Sequence, residues 1–303
     1  MAKSKLRAYI LIVFSMLFWG MSFVWTKIVF KYLDPISTVL FRLIISSVLL
    51  LIVFKIWGKL QKIDRKHYGY FLLLALFEPF FYFLGENFGL QKVSPSVASI
   101  IIATIPLLTP IIGHFFLKEK ITKFNIIGVF VSFSGILLMI MNKNLELTAD
   151  PAGIGLLFVA VFSAVGYSAF LSKLSGHYNS MTIITCQNIV GIFLFLPLFL
   201  IFDLHKIEQV TFTRELILSL LQLSIFASSI AFMFYISVVK ELGTSRSNIF
   251  TNLIPVFTAI FSFFLLNEEF TLIKVAGMLV VLTGLFISQR AGRNREELRI
   301  ENY

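Results

Sequence analysis

Cysteine is all but missing from this chain. Cys186 stands alone, which excludes an internal disulfide and any cage of cysteine thiolates around a metal. Charge is scarce as well: Asp, Glu, Lys and Arg make up 14% of the 303 residues, too few to cover an ordinary soluble domain of that size. Acidic residues are the scarcer sign, 16 against 26 basic, for a formal net charge of +10. Also missing are an HExxH helix, a Walker phosphate loop, a close pair of catalytic aspartates and a Ser/His pair at credible spacing. These absences point away from an enzyme and from ATP-driven transport by this chain, and no cofactor or metal is expected. No small-residue cleavage site follows the basic start MAKSKLRAY, so the first apolar run reads as a retained membrane helix rather than a signal peptide.

What the chain has instead is apolar side chain: 58% of it is hydrophobic, with 35 phenylalanines that read as lipid-facing or packing filler. A spanning helix needs about 20 mostly apolar residues. Ten such segments are legible: Tyr9–Val29, Pro35–Ile56, Tyr68–Gly89, Pro95–Leu117, Phe124–Met141, Ala152–Leu174, Met181–Phe202, Leu216–Val239, Ser247–Leu266 and Leu272–Ser288. Breakers such as Asp34-Pro35, Ser94-Pro95, Asp150-Pro151 and Gly243-Thr244 punctuate them. With the N-terminus inside, 18 of the Lys and Arg residues fall on the cytoplasmic face and six on the other, while Lys27 and Arg42 lie within spans. Basic residues concentrate on the cytoplasmic side of membrane proteins, so both termini are expected there. The expected partner of so basic a chain is therefore a lipid bilayer and not a nucleic acid.

The second half repeats the first. Ser94–Leu137 aligns without a gap on Gly243–Phe286, and 13 of the 44 positions are identical, including Pro106/Pro255, Thr109/Thr258, Glu119/Glu268, Gly128/Gly277 and Gly135/Gly284. Apolar matches are cheap in a membrane protein, but prolines, glutamates and glycines in register are not. The fold class expected is an all-α membrane protein of two five-helix repeats, 9–141 and 152–288, followed by a basic cytoplasmic tail, 289–303. Five helices per repeat make matched helices cross in opposite directions, the inverted duplication common in secondary transporters. The loop after Glu119 carries three lysines, whereas its counterpart NEEFTLIK is nearly free of basic residues, as an inverted pair requires. An inverted duplication is also compatible with a channel.

The run IPLLTPIIGHFFLKEKITKFNIIGVFVSFSGILLM and its echo IPVFTAIFSFFLLNEEFTLIKVAGMLVVLTGLF resemble the signature of the EamA-type drug/metabolite transporters. So do FWGMSFVWTKI at Phe18–Ile28 and Arg42 in the second span. The resemblance, which covers roughly residues 9–290, implies a ten-helix inner-membrane exporter of amino acids or other small metabolites, often proton-coupled. It also implies a central cavity lined chiefly by helices one, three, four, six, eight and nine. One departure is that FSAVGYSAF in the sixth helix lacks the tryptophan common at the start of a repeat. A passive facilitator is the alternative function, although no ring of like residues suggests an ion filter.

Candidate site residues follow from depth. Glu78 lies ten residues into the third span, where a charge is costly and intramembrane ionisable groups usually face a wet cavity or a partner. A carboxyl at that depth suits proton coupling; the alternative is that it neutralises Arg42 or Lys27. Tyr82 and Glu86 follow at helical spacing on the same face, with Asn87 beside them. Arg42 has the geometry to hold a carboxylate, or else fixes packing through an ion pair. Lys27 could merely snorkel to the outer surface. Pro79, Pro106 and Pro255 are candidate hinges, because each removes an amide donor within a span. Asn248 and Asn252, one turn apart before Pro255, are candidate donors to a solute. Trp19, Tyr167 and Gln187 complete the candidate cavity, Trp19 and Tyr167 lying deeper than an interfacial belt would put them. Glu119 and Glu268, with Gly128, Gly135, Gly277 and Gly284, form the repeat signature and more naturally tie helix ends and crossings. Acids and bases together fit a zwitterion such as an amino acid, and a polyamine, a purine or a cationic drug only somewhat less well.

Overall fold

Long apolar stretches cut by Pro, Gly, Asn and Asp leave the backbone one economical way to satisfy its own polar groups, the α-helix. The computed structural model describes residues 2–109, 122–140 and 149–300, and they are helical almost throughout. In chain order the helices are α1 (Ala2–Val29), α2 (Pro35–Ile56), α3 (Arg65–Lys92), α4 (Pro95–Thr109), α5 (Lys123–Ile140), α6 (Pro151–Ser175), α7 (Ser180–Phe202), α8 (Arg214–Leu242), α9 (Arg246–Leu266) and α10 (Leu272–Ile300). Eight of them are long and apolar enough to cross a bilayer; α4 as described and the apolar stretch Leu272–Ser288 of α10 are shorter. α10 runs on through Ile300, so the basic segment after Ser288 continues the helix. Glu119 and the end of the expected fourth span lie outside the described residues.

Helix starts follow the local chemistry. Asn179 and Thr213 cap α7 and α8 through side-chain oxygens that accept from Thr182 and Leu216 amides. Asp150 accepts from the Ala152 amide at the start of α6, with Pro151 in the first turn, where its missing donor costs nothing.

Packing sorts the helices into a central group and an outlying pair. α1 packs on α8 and α9, α2 on α7, α4 on α9, and the second half of α3 on α6. Among the described residues α5 and α10 make the most extensive contact with each other and touch the rest sparingly. Their crossing depends on glycine: a Cβ on Gly128 would stand 2.5 Å from the Gly284 carbonyl oxygen, and one on Gly135 would stand 2.7 Å from that of Gly277. Asn125 Nδ2 donates to the Ser288 carbonyl at 3.2 Å, one turn beyond. Contacts of 125 with 288, 128 with 284 and 135 with 277 run in opposite order, so α5 and α10 are antiparallel.

Candidate functional site

Three helices break within their spans. In α3 the residues Leu76–Phe81 form a widened turn, with Glu78 in an extended conformation (φ −145°, ψ 118°) and a cis bond to Pro79. Glu78, Tyr82 and Glu86 are therefore not one face of a continuous helix, as their spacing suggests; the break lies at Glu78 itself. In α4 regular helix stops at Ile102, two residues turn, and helix resumes one residue before Pro106. In α9 a tighter 3₁₀ turn, Phe250–Leu253, precedes the segment Ile254–Leu266, in which Pro255 is second. Both prolines read from sequence as mid-helix kinks, yet each sits where a new helical segment begins and its missing amide is harmless.

The breaks frame one cavity. Ile102, Ile105, Thr251 and Ile254 line it from α4 and α9, and Trp19, Arg42, Glu78, Tyr82, Glu86, Tyr167 and Asn248 from the other helices and α9. Its volume is about 50 Å³, which is room for a few waters and not for a metabolite. The chamber is narrow around its polar groups.

Arg42 is 2% exposed. Its Nε donates to Ser228 Oγ at 2.8 Å, and its Cζ stands 4.2 Å from the centroid of the Phe83 ring. Ser228 belongs to a second widened turn, Leu223–Ala231 of α8. The seam behind it is fully bonded: Asn188 Nδ2 donates to Ser46 Oγ at 2.8 Å and to the Ser228 carbonyl at 3.2 Å, and Ser229 Oγ lies 2.6 Å from Ser46 Oγ. None of the ion pairs among the described residues includes Arg42, Glu78 or Glu86. The packing ion pair that sequence offers as an alternative for Arg42 is thus not formed.

The two carboxyls differ in their company. Tyr82 OH donates to Glu86 Oε1 at 3.2 Å, whereas Glu78 accepts no side-chain hydrogen bond among the described residues. On the opposite wall Tyr235 OH donates to Asn248 Oδ1, and the Asn248 amide nitrogen is buried with no partner among the described residues. Trp19 donates to the Ala227 carbonyl at 3.3 Å and packs its ring 5.0 Å from Phe232 and 5.1 Å from Tyr235, so its face is fixed.

Other candidates stand elsewhere. Gln187 is behind the wall, accepting from Tyr167 OH at 3.2 Å, and so positions that ring. Asn252 is buried outside the lining, with neither amide atom partnered among the described residues. Glu268 accepts from Ser96 Oγ at 2.9 Å and from Lys274 Nζ at 3.3 Å, tying the start of α4 to the start of α10. Lys27 lines a different cavity. Sequence reasoning passed over Ser228, Tyr235 and Asn188; the polar pair Ser228-Ser229 inside an apolar span was the available signal, because hydroxyls at that depth need partners.

The model of the EamA-like transporter family matches residues 6–141 and again 151–289. An uncharacterized transporter of Archaeoglobus fulgidus is 27% identical over 288 residues, spanning 94% of this chain and 99% of that relative. The uncharacterized transporter YetK of Bacillus subtilis is 26% identical over 295 residues, spanning 95% and 88%. A solved chain, described only as the crystal structure of a protein, superposes with a TM-score of 0.68 at 14% identity, covering 95% of this chain and 98% of its own. That likeness speaks to the fold alone.

Proposed function

The chain belongs to the EamA-like transporter family, and from that premise we propose a secondary carrier that exports a small zwitterionic metabolite, an amino acid or similar, in exchange for protons. It works by alternating access in the inner cell membrane, as ten spans in two inverted repeats. The antiparallel contact of the repeat-matched helices α5 and α10 supports the inverted arrangement. The observation that carries the proposal is the narrow chamber lined by one guanidinium and two carboxyls that form no ion pair.

Buried charges without partners are expensive, so each looks for a complement. A zwitterion supplies both: its carboxylate meets the donors of Arg42 and the free Asn248 amide, and its ammonium meets Glu78. Glu86, already bonded to Tyr82, balances Arg42 when the chamber is empty. Glu78 can then take a proton or the substrate's ammonium, and not both, which links the two fluxes in opposite directions. Trp19, Tyr167 and Tyr235 supply aromatic walls for the solute's apolar part. Because the chamber holds only a few waters, loading requires one end to open, and the breaks at Pro106 and Pro255 are where α4 and α9 can bend. A volume that small also favours a carrier over a standing pore.

Proteoliposome flux of radiolabelled amino acids, with and without an imposed proton gradient, tests this. Wild-type flux is saturable and driven by the gradient. Glu78→Gln binds substrate more weakly, so that counterflow exchange persists only at a raised KM, and loses the response to the gradient; an unchanged response in that variant would remove Glu78 from the coupling step.

A further inference from the structure

A second and larger cavity lies at the end of the molecule where α1 finishes and where α4 and α10 begin. It measures about 730 Å³, the size of a ligand site, and Lys27, Lys92, Lys274 and Glu268 are its charged lining residues. The three lysines come from three separate elements. Two of them are already matched: Lys274 Nζ lies 3.3 Å from Glu268 Oε1, and Lys92 Nζ lies 2.8 Å from Asp150 Oδ2. Glu268 is the carboxylate that faces Lys27, but its two oxygens are engaged by Lys274 and Ser96. Lys27, half-buried and facing this cavity, has no hydrogen bond or ion pair among the described residues.

The backbone adds the same sign. α4 and α10 both present their N-terminal ends here, through Ser94 and Pro95 and through Thr271 and Lys274, and helix N-termini carry partial positive charge. The remaining wall is largely apolar, with Val93, Val97, Met139 and Leu266.

We propose that this cavity is a second ligand site, for the anionic oxygen group, carboxylate or phosphate, of an amphipathic solute or a lipid headgroup, with Lys27 as its first contact. Its wall excludes a second cationic ligand and offers the apolar body of such an anion a surface to rest on. The site is separate from the chamber around Arg42, and the proposal holds whatever that chamber carries.

Equilibrium binding separates the possibilities. Full-length protein is titrated calorimetrically with glutarate, and with glutaramide as the uncharged control, in detergent and in phosphatidylcholine nanodiscs. Thermal stability is compared in nanodiscs with and without phosphatidylglycerol. The expected result is saturable binding of glutarate, or stabilisation by phosphatidylglycerol, with no response to glutaramide. Lys27→Gln weakens that response about tenfold, the loss expected for one charge-assisted hydrogen bond, and Lys27→Arg retains it. A glutarate response identifies a soluble carboxylate and a phosphatidylglycerol response a lipid headgroup. Arg42→Gln leaves the response intact, and Glu86→Gln gives the same control if the arginine variant fails to fold. An equal response in Lys27→Gln, or none in wild type, overturns the proposal. So does a response lost with the chamber variants and kept in Lys27→Gln.

Discussion

An arginine with one serine on its Nε and a phenylalanine ring 4.2 Å from its Cζ still has four N–H donors to give. Lysine could supply the charge at position 42 but not the planar fork that grips a carboxylate at two points. Arg42→Lys is therefore expected to fold and to lose about tenfold to a hundredfold in transport efficiency, read as kcat/KM for counterflow. The sequence marked Arg42 and Glu78 through depth alone, because an ionisable group inside an apolar span is costly wherever it faces. It could not show that the guanidinium's partner is Ser228, since α2 and α8 meet only in the folded bundle.

At the scale of the element, the break in α3 rests on its neighbours. A Cβ on Gly191 of α7 would stand 2.4 Å from the Pro79 ring, in space that no rotamer change can clear. Gly191→Ala is expected to destabilise the protein by about 1–3 kcal/mol, the usual cost of overpacking, and to lower the melting temperature in detergent. A second element-level test uses the start of α6. Lys92 and the Ala152 amide hold the Asp150 carboxyl below its usual range. A depressed carboxyl contributes stability above its unfolded value of 3.8 and loses it as pH falls through the folded value. Asp150→Asn should therefore melt below wild type at pH near 7, with the gap closing below pH 3.8. Periodicity and breakers placed most helix ends to within a few residues. They missed the break at Glu78, because a pattern of 3.6 residues describes a helix only while it stays regular.

For the molecule as a whole, closure at both ends matters most. At one end Asn179 donates twice across to the α2–α3 connection, its backbone amide to Gln61 Oε1 at 2.6 Å and its Nδ2 to the Lys59 carbonyl at 2.8 Å, with His67 Nδ1 2.7 Å from Tyr178 OH. At the other, Asp203 accepts from Ser37 Oγ at 2.7 Å and Lys206 bridges Asp34 and Asp203 at 2.7 and 3.0 Å. An alternating carrier must release one set while keeping the other. With Cys186→Ser as background, a cysteine introduced by Ser168→Cys in the chamber wall should react with a membrane-impermeant maleimide from one face at a time. Adding Asn179→Ala should raise labelling from the face of the α2–α3 connection about fivefold, roughly the worth of one hydrogen bond. Equal labelling from both faces at once would indicate a pore.

Composition, breakers and the repeated Pro, Glu and Gly positions determined by themselves that this is a multi-pass helical membrane protein, because lipid leaves an apolar backbone few alternatives. They also picked out most of the chamber's charged and aromatic residues. Only the tertiary structure decided which of these meet. Trp19, Arg42, Glu78, Tyr82, Glu86, Tyr167 and Asn248 line one cavity, while Gln187 and Asn252 stand outside its lining and Lys27 faces a separate cavity. The reason is geometric. Depth along a span is written in the order of residues, but the direction a side chain faces depends on how each helix is rotated against its neighbours and on where it breaks.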